Sequence, residues 1–213
     1  MHLIAHRGYS DLYKDNTIEA FYAAIENNFD IIELDIQLTK DNFVIVYHDI
    51  NINNKLVRNM NLNEIIDIDS DIITLECFFA NIDLDKVSVY LDVKGSDFIC
   101  IYLHNILKKI NRNDKILIGS FNLRFLERLY EQDITYNLGI ITENVLPDEI
   151  YKHYISTINI AFVSFHWTVL NNRTIRYLHL NNVLVYSYTC KNDNIKGFIM
   201  EYDIDGIVSN YIF

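Results

Sequence analysis

Residues 33–49 read ELDIQLTKDNFVIVYHD, and the fold turns on how this stretch is read. Glu33 and Asp35 alternate with apolar Ile32, Leu34 and Ile36, so on a strand both carboxylates share one face, about 6.6 Å apart along the backbone. That is a spacing at which two acids can ligate one cation. Thr39-Lys40-Asp41-Asn42 is a turn signal, and Val44, Val46 and His48 alternate after it as on a second strand. A two-residue turn at Asp41-Asn42 sets Lys40 against Phe43, and counting back sets His48 directly across from Asp35 on the same face. The expectation is an imidazole beside two carboxylates. Taken alone, Glu-x-Asp on a strand is more often the solvated face of an ordinary hairpin; the rest of the chain decides against that.

Upstream, His2–Ala5 is a short apolar strand that ends at His6-Arg7-Gly8. A helix follows from about Asn16, with Ile18, Phe21, Tyr22 and Ile25 on one face. Downstream of the hairpin, short helices are expected at 62–67 and 74–81, and Val87–Val93 is a strand with Asp92 and Lys94 at its far end. Strand and helix then alternate: a helix capped by Ser96, strand 115–119, a helix through Leu123, Leu126 and Leu129, and strand 135–141. A helix starting near Pro147 precedes strand 160–165, helix 169–180, strand 183–188, helix 192–200 and strand 204–208. Eight strands joined by crossovers too long for hairpins require parallel pairing, which points to an α/β fold, the (β/α)₈ or TIM barrel. Residues 43–85 are expected as a hairpin arm and insertion after the second strand of a single 1–213 domain. No closing helix is expected after the last strand; Tyr211, Ile212 and Phe213 would cover that flank or meet a second subunit.

Barrel chemistry sits at the carboxyl ends of the strands. His6, Glu33, Asp35, Asp92 and Lys94 fall there, with Ser120, Tyr188 and Ser209 around the same mouth.

Composition narrows the classes. At 213 residues, half of them hydrophobic, the chain supports one large core. A formal charge of −11 argues against nucleic-acid binding and demands a local cationic pocket or bound metal for any anionic substrate. Cys77, Cys100 and Cys190 lack CxxC spacing and read as reduced core residues of a cytoplasmic protein. No stretch reaches the roughly 18 consecutive apolar residues of a membrane span, and no signal peptide is read at Met1, so stable membrane insertion is not expected.

His6-Arg7-Gly8, Asn16-Thr17, Glu33-x-Asp35, Thr39-Lys40-Asp41, His48-Asp49, Thr74-Leu75-Glu76, Asp92-x-Lys94, Ser120-Phe121 and Asp205-Gly206-Ile207, in that order, resemble the glycerophosphodiester phosphodiesterase family over nearly the whole chain. The resemblance implies a metal-dependent barrel that hydrolyses glycerophosphodiesters to an alcohol and glycerol 3-phosphate. It implies one divalent ion, Mg²⁺ or Ca²⁺, on Glu33, Asp35 and Asp92, with His6 and His48 as the acid and base pair and Arg7 and Lys94 on phosphate. Tyr188 is the one aromatic residue assigned to the substrate wall; Phe165, Trp167 and Tyr186 are read as packing, and His104, His153, His166 and His179 as structural. Asp92 stands where many members carry Glu, Asp15 replaces the Glu usual before Asn-Thr, and Tyr188-Thr189-Cys190-Lys191 replaces a Trp-Thr-Val-Asn pattern. These departures bear on the alcohol, not on the reaction. The competing readings are a lysophospholipase D or sphingomyelinase D acting on lipids, and an idle barrel that binds a phosphate ligand.

Overall fold

The computed structural model describes residues 1–132 and 135–213. Its barrel strands are β1 (His2–Ala5), β2 (Ile31–Leu38), β3 (Ser88–Val93), β4 (Ile116–Ser120), β5 (Asn137–Thr142), β6 (Phe162–His166), β7 (Leu184–Cys190) and β8 (Gly206–Ser209). Each pairs in parallel with the next in the chain, and β1 pairs with both β2 and β8, so the sheet closes into a TIM barrel. Between the strands lie α1 (Ile18–Glu26), α2 (Leu62–Ile66), α3 (Leu75–Asn81), α4 (Ile99–Ile110), α5 (Leu123–Tyr130), α6 (Asp148–Ile158), α7 (Asn172–Leu180) and α8 (Asp193–Ile199). Among the described residues no helix is long and apolar enough to cross a membrane.

The period of two in each strand divides the core. Outward residues such as Ile32, Leu34 and Ile36 pack under the helices, while Ile4, Ile31, Tyr90, Ile141, Phe162, Tyr186 and Val208 fill the lower barrel interior. Phe162 needs space from its neighbour on β5: a Cβ on Gly139 would lie 2.4 Å from its ring. These side chains form a floor, and the next inward positions toward the strand ends are polar.

α1 starts as expected, with the Thr17 hydroxyl accepting from the Ala20 N–H. Its buried stripe, however, is Ala20, Phe21, Ala23 and Ala24, and Tyr22 stands half exposed with its hydroxyl donating to the Asn81 carbonyl. The alanines let the helix lie close to the barrel, leaving no room for Tyr22 on that side. Ser96 does not cap α4; Phe98 occupies that position, and the Ser96 hydroxyl accepts from the Phe98 N–H within a tighter turn.

The hairpin arm forms, one residue out of the expected register. Val44–Val46 runs antiparallel to β2 with Ile36 opposite Val46 and Leu38 opposite Val44. The turn has three residues, not two: the Asn42 N–H donates to the Thr39 carbonyl, Asn42 sits at φ 70°, and the Thr39 hydroxyl accepts from the Phe43 N–H. Tyr47, not His48, is thereby paired with Asp35, its N–H donating to the Asp35 carbonyl at 2.9 Å. Beyond the arm, Ile45, Ile52, Val57, Met60, Ile65 and Ile72 bury one another in a small separate core.

The chain end folds back on its own flank. The Tyr211 hydroxyl donates to Asp193 at 3.1 Å, and the Lys196 ammonium lies 4.6 Å from the Phe213 ring centre, both partners on α8.

Candidate active site

Above the aromatic floor, the strand ends enclose a pocket of about 340 Å³. Eight of the residues expected at the mouth line it: His6, Arg7, Glu33, Asp35, His48, Asp92, Lys94 and Tyr188. Ser120 and Ser209 do not; their hydroxyls tie backbone at the strand ends, to Val93 and to Cys190 and Tyr211.

The acids meet because parallel register sets them side by side. Asp35 pairs with Asp92 across β2 and β3, and Glu33 is two residues below Asp35 on the same inward face. One carboxylate oxygen from each of the three lies within 4.8 Å of the others. All three residues are buried, and Asp92 Oδ1 has no hydrogen-bond partner. Hard divalent ions take oxygen ligands, and a buried, unpartnered carboxylate oxygen is costly without a cation. The donor set therefore fits such an ion on Glu33, Asp35 and Asp92.

Protons report the same crowding. Burial, then the neighbouring Asp35 and Asp92, hold the Glu33 pKa well above the usual carboxylate range. Burial raises Asp92 to about 6 against the pull of Lys94. Burial acts on Asp35 too, but Lys94 and Arg7 more than reverse it, leaving its pKa lowered. Lys94 contacts Asp35 at 3.1 Å and hydrogen-bonds Asp92, and Arg7 Nε lies 3.0 Å from Asp35. Two cations and three carboxylates thus share a space that one divalent ion would bring to net positive charge.

The loop after β1 explains why His6-Arg7-Gly8 matters locally. Arg7 and Gly8 both adopt positive φ, 57° and 81°, and a Cβ on Gly8 would strike Ala20 at 2.7 Å. That fold turns the Arg7 N–H onto Glu33 Oε2 at 2.8 Å and its guanidinium between Asp15 and Asp35.

The two imidazoles are differently supported. His6 Nδ1 lies 2.7 Å from Asn210 Oδ1, which can only accept, so Nδ1 carries the proton and Nε2 keeps its lone pair. Burial and the adjacent Arg7 lower the His6 pKa to about 4, so the ring is neutral at neutral pH. His48 Nδ1 instead lies 2.8 Å from Asp49 Oδ1.

Other contributors had a weaker signal in the sequence. Asn16 holds Asp35 from the side, Lys191 joins the wall beside His6, and Glu143, Phe121, His166 and Trp167 line the half of the pocket away from the acids. The alternation of β6 points His166 inward, but spacing alone does not separate it from a structural histidine.

The model of the glycerophosphoryl diester phosphodiesterase family matches residues 6–212. The Bacillus subtilis (strain 168) protein YhdW is 28% identical over 233 residues, covering 99% of this chain and 95% of its own length. Among solved structures, the glycerophosphodiester phosphodiesterase of Thermotoga maritima superposes with a TM-score of 0.85 at 23% identity, over 99% of this chain and 94% of that one. An Oleispira antarctica phosphodiesterase in complex with the product sn-glycerol-3-phosphate superposes with a TM-score of 0.89 at 18% identity, over 99% and 93%. At those identities the structural likeness speaks for the fold, and the family match, running from His6 nearly to the last residue, shows that this chain belongs to the glycerophosphoryl diester phosphodiesterase family.

Proposed function

We propose that this protein is a metal-dependent phosphoric diester hydrolase that cleaves glycerophosphodiesters to an alcohol and glycerol 3-phosphate. The observation that carries the reading is the convergence of Glu33, Asp35 and Asp92 within 4.8 Å, with Asp92 Oδ1 unpartnered, in a pocket lined by both His6 and His48. The Oleispira enzyme, of the same fold, was solved with that product bound.

A phosphodiester resists hydrolysis because it is an anion and its leaving alkoxide is poor. A Mg²⁺ or Ca²⁺ ion on the three acids would neutralise charge as it develops on the phosphoryl oxygens. The Arg7 fork and the Lys94 ammonium hold the phosphate from the same side. His6, neutral with its Nε2 lone pair free, removes the proton from the attacking hydroxyl, either water directly or the substrate's own hydroxyl, in which case water then opens the cyclic diester that forms to give glycerol 3-phosphate. His48, with Asp49 behind it, returns a proton to the departing alcohol oxygen. Two imidazoles and three acids at one mouth argue against an idle phosphate-binding barrel.

The same reading takes residues 1–213 as one barrel domain and, with Cys77, Cys100 and Cys190 all free, a reducing cytoplasmic setting. A second reading, cleavage of a lysophospholipid, draws on a more apolar groove of about 760 Å³ that shares Lys94 with the pocket and is lined by Leu38, Ile50, Leu56 and Phe98.

The test is release of glycerol 3-phosphate from a panel of glycerophosphodiesters, and of choline from lysophosphatidylcholine, with Mg²⁺, with Ca²⁺ and with chelator, repeated with Glu33→Ala. Turnover that survives both chelator and Glu33→Ala removes the metal from the mechanism.

A further inference from the structure

The pocket has two halves of opposite chemistry, and the reaction proposed above uses only one of them. The ends of β1 to β3 supply the acids, Arg7 and Lys94. The ends of β4 to β7 supply Phe121, whose ring centre lies 5.4 Å from the Lys94 ammonium, and Glu143, His166, Trp167 and Tyr188, with Lys191 following on the His6 side. The rings form a continuous wall: Phe121 stands edge-on to Tyr188 at 6.2 Å, Tyr188 to His166 at 5.6 Å, and His166 lies 5.6 Å from Trp167. Among the described residues Glu143 is the only carboxylate lining that half. Among the described residues it has no ion-pair partner. Its loop is fixed by Thr142, whose hydroxyl donates to the Asn144 carbonyl at 2.9 Å and accepts the Asn144 N–H at 3.0 Å. Glu143 also reaches Tyr188 electrostatically: after burial, its charge is the main reason the Tyr188 hydroxyl pKa is raised.

Aromatic faces beside one carboxylate suit a cation of low hydration, which the rings attract through their quadrupoles and the carboxylate through its charge. A neutral polyol gains little from either. The protein's net charge of −11 acts in the same direction, because it repels a net-anionic diester and leaves a zwitterionic one unpenalised. We infer that Glu143, with Trp167 and Tyr188, forms a specificity subsite for a leaving alcohol that carries an ammonium group, so that the preferred substrates are zwitterionic glycerophosphodiesters. This inference rests on the hydrolase reading for its kinetic consequences, but ammonium binding itself does not require turnover.

Two measurements keep the two claims apart. In the first, kcat/KM is compared for glycerophosphocholine and glycerophosphoethanolamine against glycerophosphoglycerol, in wild type and Glu143→Gln. The wild-type ratio is expected at about 10 or more, and Glu143→Gln should lower it about 10-fold, chiefly through KM, equivalent to about 1.4 kcal/mol. A wild-type ratio near one, or a ratio unmoved by Glu143→Gln, overturns the inference. In the second, fluorescence of Trp167, the only tryptophan of the chain, is followed while choline chloride or glycerol is added at constant ionic strength. Saturable quenching by choline, absent with glycerol and weakened at least 5-fold in Glu143→Gln, supports the subsite even if no diester turns over. Failure of every diester to turn over would then count against the hydrolase alone. No choline-specific change in wild type overturns the subsite whatever the kinetics.

Discussion

Asn16 and Asp35 grip each other twice: the Asn16 amide donates to Asp35 Oδ2 at 2.9 Å, and the Asn16 side-chain oxygen accepts from the Asp35 backbone N–H at 3.2 Å. Asn16 itself sits at φ 58°, a conformation asparagine tolerates better than most residues. One residue therefore sets the rotamer of a carboxylate proposed to hold the metal and turns the chain into α1. Groups that orient metal ligands in this way are typically worth about 10- to 100-fold in affinity. Asn16→Gly keeps the backbone conformation and removes the clamp, so calorimetric titration with Mg²⁺ or Ca²⁺ on the still-folded variant should show affinity weakened by about that factor, alongside the loss of about 1–3 kcal/mol that follows from leaving the buried Asp35 N–H without its acceptor. Unchanged affinity would leave Asn16 as a turn residue only.

Replacing either imidazole should cost about 10²- to 10⁴-fold in kcat, but the pH profiles should separate their roles. His6 must be deprotonated to act as base, and burial with Arg7 lowers its pKa to about 4, so with divalent ion kept saturating the acid limb of kcat/KM should not show the ordinary histidine titration. Asn210→Ala removes the acceptor that fixes Nδ1–H. Its kcat should fall by roughly tenfold at steady KM, whereas a residue of purely structural importance would lower stability in step with rate.

Much of this site was open to the sequence because barrel geometry converts strand-end positions into neighbours without side-chain detail. Glu33, Asp35 and Asp92 needed only the period of two and parallel register to converge. The hairpin count failed because turn length depends on a side chain: the Thr39 hydroxyl holding Phe43 and the positive φ of Asn42 add one residue to the turn. His48 reaches the pocket even so, since it lies past the last paired residue and follows the loop, not the ladder. Trp167 and His166 were not separable from packing residues, because a ring at a strand end looks the same in sequence whether it covers the core or a cavity.

Gly139→Ala tests the barrel floor apart from the chemistry. The new methyl would lie 2.4 Å from the Phe162 ring, which is itself wedged against Tyr90 and Tyr186 at 5.1 and 5.3 Å between ring centres. Overpacking of this kind costs about 1–3 kcal/mol. Denaturant unfolding should show that loss with an unchanged m-value. A neutral result would mean that the floor is looser than its geometry.

Metal binding should release protons and strengthen as pH rises. Burial raises Asp92 from 3.8 to about 6, and Glu33 is shifted in the same direction. For a carboxyl raised in this way, stability is fully present below the unfolded value and is lost as pH rises through the folded one. The metal-free protein should therefore weaken between about pH 4 and 6 on account of Asp92, and Glu33 acts in the same direction. His6 carries the opposite sign: its pKa is depressed from 6.5 to about 4, so its contribution is present above 6.5 and lost as pH falls through about 4. His6→Asn should accordingly steepen the decline of metal-free stability with rising pH. Thermal denaturation from pH 4 to 8, with chelator and with saturating divalent ion, measures both effects. The metal-induced rise in midpoint should grow across that range, because each acid must lose its proton to become a ligand. A metal effect independent of pH would show that Asp92 and Glu33 are already ionised without the ion, and that Lys94 and Arg7 neutralise the acids on their own.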